Sequence, residues 1–362
     1  MNKIIYLDAA ASYLKSSAVI NAQVDFLQNN YANAGRGICA RAVAVDNMIS
    51  GVRLRVADFI GAKPENIVFT SGTTDGMNRV VALVGPDKSK TVALSELDHH
   101  SACLPWVASG ANVVMCPLDA QYNFDIENIP WADVLVLTAM SNVLGVPQKV
   151  QEIIHMAREK NPNVIVVVDA AQYVVHEKID AEKWGADFIV FSGHKIGADT
   201  GVGILYIKNP GAFSPDKFGG GMVQTVDGFN WELANLPERF EAGTLPLTQI
   251  AGLAVAVDEI ENNRPDLSLI KYMRDELLKL DKVRVLSSDG AAVLSFVVDG
   301  MHCLDVGVML GARNVCVRVG QMCAAWIHKA LGVPGTIRIS VGAYNTIEEV
   351  KAVVDIIKDI VK

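Results

Sequence analysis

The chain has 362 residues, of which 51% are hydrophobic and 20% charged, enough apolar material for one large core and a smaller second one. A formal charge of −8 offers no basic footprint for nucleic acid and favours solubility. No run has the length of a membrane span, and Asp8 interrupts the first apolar stretch, so neither a bilayer helix nor a secretory leader is expected.

The six cysteines, at 39, 103, 116, 303, 316 and 323, include no Cys-x-x-Cys pair. That spacing argues against a zinc site and against a disulfide framework, and no other metal site is expected. A reducing cytoplasm is the expected location, with most of the thiols serving as small buried apolar groups.

Residues 4–7 read as a short strand leading into Asp8 and three alanines. A helix over about 16–29 follows, then a turn over 31–37 that holds Arg36, then a long amphipathic helix over 43–60 that stops at Gly61 before Pro64. Residues 66–70 are the next strand, and Ser71-Gly72-Thr73-Thr74-Asp75-Gly76 leads from it into a helix through Val84. A glycine turn at a helix N-terminus aims backbone N–H groups and hydroxyls at one point, an anion site suited to phosphate. Thr73 capping its own helix accounts for the same residues. The turn is neither a Walker A motif nor the G-x-G-x-x-G of dinucleotide binders.

The strand at 91–95 runs into Asp98, His99, His100 and Ser101. Two adjacent histidines cannot share one direction, so at most one faces the strand ends. It would serve there either as a flat, titratable partner for an aromatic cofactor or as a helix-start residue bonded to nearby backbone. Strands at 112–116 and 134–138 continue the series, Asn142 lies just past the second, and a helix runs through Lys160.

A buried strand at 164–168 then ends in Asp169, a connector carries Gln172, and a strand at 188–191 ends in Ser192-Gly193-His194-Lys195. In a parallel α/β sheet, ligands bind just beyond the carboxyl ends of the strands, so the acid and the lysine face one crevice. A lysine amine condenses with an aldehyde, and a carboxylate partners a protonated pyridine nitrogen. Those are the two protein contacts that pyridoxal 5'-phosphate (PLP) requires. Either residue alone is an ordinary strand-end residue; with Gln172 and the Ser-x-His-Lys turn, the set points to a cofactor.

Residues 201–207 are expected to be an antiparallel strand, and the glycine-rich stretch 218–231 a loop. A helical run over 250–261 marks the domain boundary. It separates a large domain, 15–250, from a smaller α+β domain, 251–362, against which 1–14 pack. In the second domain a helix to 280, strands at 283–286 and 292–298, a helix at 303–310 and a strand at 315–318 precede the turn at 320–324. A strand at 336–339 carries Arg338, and the last helix opens on a Thr346, Glu349 capping box. Cys323 differs from the other cysteines because it sits in a polar turn between Arg318 and Arg338. Neighbouring cations favour a reactive thiolate, and an arginine fork suits a substrate carboxylate. A partly buried structural thiol near two surface arginines is the competing explanation.

Eight motifs in order carry a family resemblance: Gly-Thr-Thr (72–74), Asp-His-His (98–100), Ser-Asn-Val-Leu-Gly (141–145), Val-Asp-Ala-Ala-Gln (168–172), Phe-Ser-Gly-His-Lys (191–195), Arg-Phe-Glu-Ala-Gly-Thr (239–244), Arg-x-Gly-x-x-Cys-Ala (318–324) and Arg-x-Ser (338–340). The chain resembles the cysteine desulfurases of class V aminotransferase fold, more closely the SUF-type and selenocysteine lyase-like group, whose catalytic cysteine lies on a short loop. The resemblance implies an α/β PLP enzyme of fold type I, aspartate aminotransferase-like, with a mostly parallel seven-stranded sheet, working as a homodimer with sites at the subunit interface.

Carried onto this chain, the resemblance has Lys195 bear the cofactor and move the substrate's α-proton, Asp169 pair with the pyridine nitrogen, His100 stack on the ring and Gln172 bond the phenolic oxygen. Thr73, Thr74, Ser192 and His194 would hold the phosphate, with Thr244 reaching in from the partner subunit. Asn142, Arg338 and, from the other subunit, Arg36 would hold the substrate. Cys323 would take the sulfur of L-cysteine as a persulfide, releasing L-alanine, and pass it to an acceptor protein, as in iron–sulfur cluster assembly. L-selenocysteine or another β-eliminated amino acid is the alternative substrate, and a catalytically inactive interaction protein the alternative of another class. The chain departs from the family pattern at Gln321 and Met322, where two histidines are usual, at Gly35, where histidine is common, and at 197–200.

Overall fold

A strand covered on both faces appears in sequence as an unbroken apolar run and not as alternation. Residues 134–138, 165–169, 188–192 and 203–207 have that character. The computed structural model, which describes residues 3–35, 37–85 and 87–362, sets them at the centre of a seven-stranded sheet. In chain order the strands are β1 (Ile5–Tyr6), which lies outside this sheet, then β2 (Ile67–Thr70), β3 (Thr91–Leu94), β4 (Asn112–Met115), β5 (Val134–Thr138), β6 (Ile165–Asp169), β7 (Phe188–Ser192) and β8 (Gly203–Ile207). Their order across the sheet is β2-β8-β7-β6-β5-β3-β4. Strands β3 to β7 run parallel, while β8 is antiparallel to both neighbours, as its short connection from β7 requires.

Successive residues of each central strand bury against opposite layers. Leu135, Val168 and Ile189 join Val56 and Ile250 on one side; Val136, Val167 and Val190 join Met77 and Trp106 on the other. The parallel strands therefore end together, with Thr138 in register with Asp169. A glycine completes that rim. Gly203 is in register with both Thr70 and Ser192, and a Cβ there would lie 2.5 Å from the Cα of Gly72. Its missing side chain lets the turn after β2 close against the end of β7.

The stretch expected to be a loop is instead a hairpin of β9 (Val223–Asp227) and β10 (Asn230–Leu233). Its residues are mostly exposed on both faces, so no apolar alternation marks it. The Asp227-Gly228 step, with Gly228 at φ +58°, was the available signal.

A second, antiparallel sheet is built from β11 (Val283–Val285), β12 (Leu294–Val298), β14 (Arg318–Gly320) and β15 (Thr336–Ile339), in the order β11-β12-β15-β14. The single strand expected at 315–318 is divided: β13 (Val315–Cys316) pairs in parallel with β1, and Arg318 opens β14. Leu7, Phe296, Ile337 and Val354 belong to a separate core over this sheet. The helix Ile347–Ile360 closes it, its Thr346 and Glu349 capping box formed. The position 250/251 falls inside the helix Leu247–Asn262, whose Leu253, Val257 and Ile260 belong to the first core. The helix keeps one apolar face on the large sheet to its end, the second core takes over from Leu269, and the chain returns to the first core at Ala324, Ile327, Leu331 and Val333.

Candidate active site

The carboxyl ends of β5, β6 and β7, the turn after β2 and the loop after β14 enclose a cavity of about 450 Å³. Thr73, Thr74, His99, Asn142, Asp169, Gln172, Ser192, His194, Lys195, Arg318, Cys323 and Arg338 line it. Most of the residues singled out from sequence thus meet in one place although they come from all along the chain.

Lys195 ends a single helical turn, Gly193–Lys195, that follows β7 directly. Its Nζ donates to the carbonyls of Ala10 at 2.5 Å and Ala11 at 3.1 Å. Burial, reinforced by the positive charge of Arg338 and opposed by Asp169, pushes its pKa down to about 8. Asp169 closes β6 and accepts the Ala171 N–H at 2.9 Å. Burial pushes its pKa up to about 6, against the pull of that N–H and of Lys195.

At the β2 turn, Gly72 (φ +147°) is the residue before the helix Thr73–Val84 and makes no side-chain cap. Thr73 does not cap that helix either. Its backbone N–H and its hydroxyl meet Ser192 Oγ at 2.7 and 2.8 Å, which joins the helix N-terminus to the end of β7. His194 approaches Ser12 Oγ at 3.4 Å, and burial beside Lys195 pushes its pKa down to about 4, so it is neutral at pH 7.

The histidine pair needs a correction. His99, not His100, lines the cavity. His99 has extended backbone as the N-cap of the helix His100–Ser109, and its Nδ1 accepts the Ser101 N–H at 3.1 Å while bonding the Ser101 hydroxyl at 2.8 Å. Burial, with Lys195 the next contributor, holds its pKa down at about 4. His100 is the first helical residue, so its ring leaves in another direction, where Nε2 accepts the Ala325 N–H at 3.3 Å.

Arg338 is buried, with Nη1 on the Asn142 carbonyl at 2.9 Å and Nη2 on Asp8 Oδ1 at 3.2 Å. Arg318 binds the other oxygen of Asp8 at 2.5 Å. Asp8, in sequence only an interruption of an apolar stretch, thus fixes both arginines. Burial pushes the pKa of Arg338 down to about 10, with Asp8 opposing, and the guanidinium stays charged at pH 7. Asn142 donates to the Met322 carbonyl at 2.9 Å and Gln172 to the Ala10 carbonyl at 2.8 Å. Asn142 Oδ1, Gln172 Oε1 and Arg338 Nε are buried without a hydrogen-bond partner among the described residues. Three such atoms on residues that line one cavity are what a site keeps for a polar ligand. Cys323 is exposed, in the loop entering the helix Ala325–Ala330.

Thr244 lies outside this cavity, in a separate pocket with Arg53, Gly220 and Glu241. Arg36 lies outside the described residues.

A buried carboxylate for a pyridinium, an amine of lowered pKa for an aldehyde, hydroxyls at a helix N-terminus for a phosphate and a neutral histidine ring beside them make a donor set that fits PLP. Comparison with known proteins agrees. The model of the aminotransferase class-V family matches residues 5–353. A probable cysteine desulfurase of Vibrio cholerae is 34% identical over 377 residues, covering 98% of this chain and 92% of the relative. The apo structure of a cysteine desulfurase from Thermococcus onnurineus superposes with a TM-score of 0.92 at 32% identity, covering 99% of this chain and 95% of the other. For the cysteine desulfurase CsdA of Escherichia coli, in an S-sulfonic acid form, the TM-score is 0.90 at 31% identity, with 98% and 94% covered. The chain belongs to the class-V aminotransferase family of PLP-dependent enzymes, within the group that the cysteine desulfurases form.

Proposed function

We propose that the protein is a cysteine desulfurase that converts L-cysteine to L-alanine and takes the sulfur onto Cys323. The observation that carries this reading is that one cavity holds the Lys195 amine, the buried Arg338 guanidinium and the Cys323 loop together. A lysine without a nucleophilic thiol would serve many PLP enzymes; a thiol in the same cavity serves sulfur transfer.

When bound, PLP supplies an electron sink for the charge left at the substrate's α-carbon. The side chains do the rest. Asp169 would pair with the ring nitrogen and His99 would lie against the ring; Thr73, Thr74, Ser192 and His194 would hold the phosphate, and Gln172 would bond the phenolic oxygen. Arg338, with its free Nε, takes the substrate carboxylate, and Asn142 borders the substrate. Lys195, with its pKa pushed down to about 8, can take and return a proton near neutral pH. In the net change a carbon–sulfur bond of cysteine breaks, a sulfur–sulfur bond forms at Cys323, and the proton of the enzyme thiol ends on the new methyl group. The carbon is reduced and the sulfur oxidised by the same two electrons, so no outside reductant enters until the persulfide is passed on. An acceptor protein in a reducing, cytoplasmic setting fits a nucleophile that is exposed and unpaired.

Thr244 and Arg36 are read as contributions to the site of a second copy. In support, Thr244 stands outside its own chain's cavity, and the large apolar side chains of Ile38, Phe218, Phe229 and Trp231 are exposed, as they would be where a second copy covers them.

The test is product analysis. Purified, PLP-loaded protein given cysteine and a reductant should yield alanine and sulfide in equal amounts; pyruvate and ammonia in place of alanine would reject the reading. Parallel turnover of selenocysteine separates the lyase alternative. A pH prediction follows from Lys195. Only the neutral amine attacks an aldehyde, so PLP loading of cofactor-free protein should speed up about tenfold per pH unit below the lysine's pKa. It should level off above about pH 8, which stopped-flow absorbance would read directly.

A further inference from the structure

The loop that carries the thiol runs from Gly320 to Ala325 through two consecutive left-handed residues, Met322 at φ +51° and Cys323 at φ +55°. Neither has the conformational freedom of glycine, and such backbone persists only where surrounding contacts fix it. Those contacts are specific. Asn142 Nδ2 donates to the Met322 carbonyl at 2.9 Å, and His328 Nδ1 lies 2.8 Å from the Ala324 carbonyl. Within the turn the Ala324 N–H donates to the Gln321 carbonyl at 2.9 Å across Met322 and Cys323. Two further contacts come from one residue. The backbone N–H of His100 donates to the Cys323 carbonyl at 2.7 Å, and its ring Nε2 accepts the Ala325 N–H at 3.3 Å. His100 therefore grips the chain at two points just after the sulfur-bearing residue, on either side of Ala324, while lining no part of the cavity.

We propose that His100 is a positioning residue for Cys323, its ring holding the loop in the strained form that aims the thiol into the cavity. The inference rests on the desulfurase reading for its purpose and on the loop geometry for its content. Attack on a substrate sulfur tolerates little error, since a displacement of about 1 Å costs on the order of a hundredfold in rate. A helix-start histidine that donates from its main chain and accepts on its ring clamps a turn at two points, where a residue without a side-chain acceptor of that reach keeps only the main-chain bond. The ring acts as an acceptor only with its proton on Nδ1, so the neutral tautomer is the working one.

The test uses the PLP-loaded full chain with His100→Ala and His100→Gln, because a glutamine Oε1 can reach where Nε2 stood. Three readouts are compared: turnover of cysteine, turnover of cysteine sulfinate, which loses its sulfur without attack by a thiol, and hydrogen exchange of the peptide over 321–326. His100→Ala should lower kcat for cysteine about 10- to 100-fold with KM nearly unchanged. It should leave cysteine sulfinate turnover and the cofactor spectrum as in the parent, and speed exchange at 321–326 alone. His100→Gln should recover most of both losses. Equal loss on the two substrates, loss of cofactor or fold, unchanged exchange, or a glutamine variant no better than alanine would each overturn the proposal. A parent protein with no cysteine turnover, by contrast, strikes the desulfurase reading itself and leaves the exchange result to judge the clamp.

Discussion

Exchanging Cys323 for alanine is expected to lower alanine formation from cysteine on the order of 10³-fold or more, while the protein keeps its yellow cofactor. The residue stands exposed in a loop, so the change removes no core volume, and stability should hold within about 0.5 kcal/mol. What is lost is the acceptor for the sulfur, without which the carbon–sulfur bond has no partner to break toward. The four buried or half-buried cysteines, 103, 116, 303 and 316, cannot substitute; burial pushes the thiols of Cys103 and Cys116 up to about 12, far from a thiolate at neutral pH. Alanine and sulfide assays on the variant, with mass spectrometry of the parent for an added sulfur on the 323 peptide, read the effect. Activity within tenfold of the parent would remove Cys323 from the reaction.

Replacing Lys195 with alanine should be still more damaging. The residue is both the amine that fixes the cofactor and the base at the α-carbon, and proton transfer by a placed side chain alone contributes about 10² to 10⁴ in rate. Turnover should fall below detection, and bound PLP should be held only by its non-covalent contacts, those of Asp169, Ser192 and Thr73 among them. Lys195→Arg should fail equally, since guanidinium keeps its proton and cannot attack an aldehyde. The carbonyls of Ala10 and Ala11, which hold the ammonium at 2.5 and 3.1 Å, would then face an apolar methyl group in the alanine variant. Added amines small enough to enter the cavity should restore part of the proton transfer, a result that global unfolding could not give.

The parts of this structure legible in sequence share a cause. Strands β5 to β8 are apolar at nearly every position because both faces are covered, and the ends of β6 and β7 follow from them, so Asp169 and Lys195 could be set in one crevice before any coordinates. The final helix was legible through Thr346 and Glu349, a signal local to four residues. What sequence missed lacks such locality. Asp8 meets Arg318 and Arg338 across 310 and 330 residues, a separation at which neither spacing nor period speaks. The hairpin β9-β10 buries no face, so it leaves no apolar alternation and only the Asp227-Gly228 turn marks it. For the histidines, sequence could say that His99 and His100 diverge but not which one the helix start would turn inward; one residue of register at an N-cap decided it.

The central claim is a covalent bond at one lysine, and borohydride reduction followed by peptide mapping tests it most directly. Reduced wild-type protein should lose its visible absorbance and carry a single pyridoxyl group, on the peptide containing Lys195. A pyridoxyl group on any other lysine, or none on a protein that still turns over cysteine, would contradict the account.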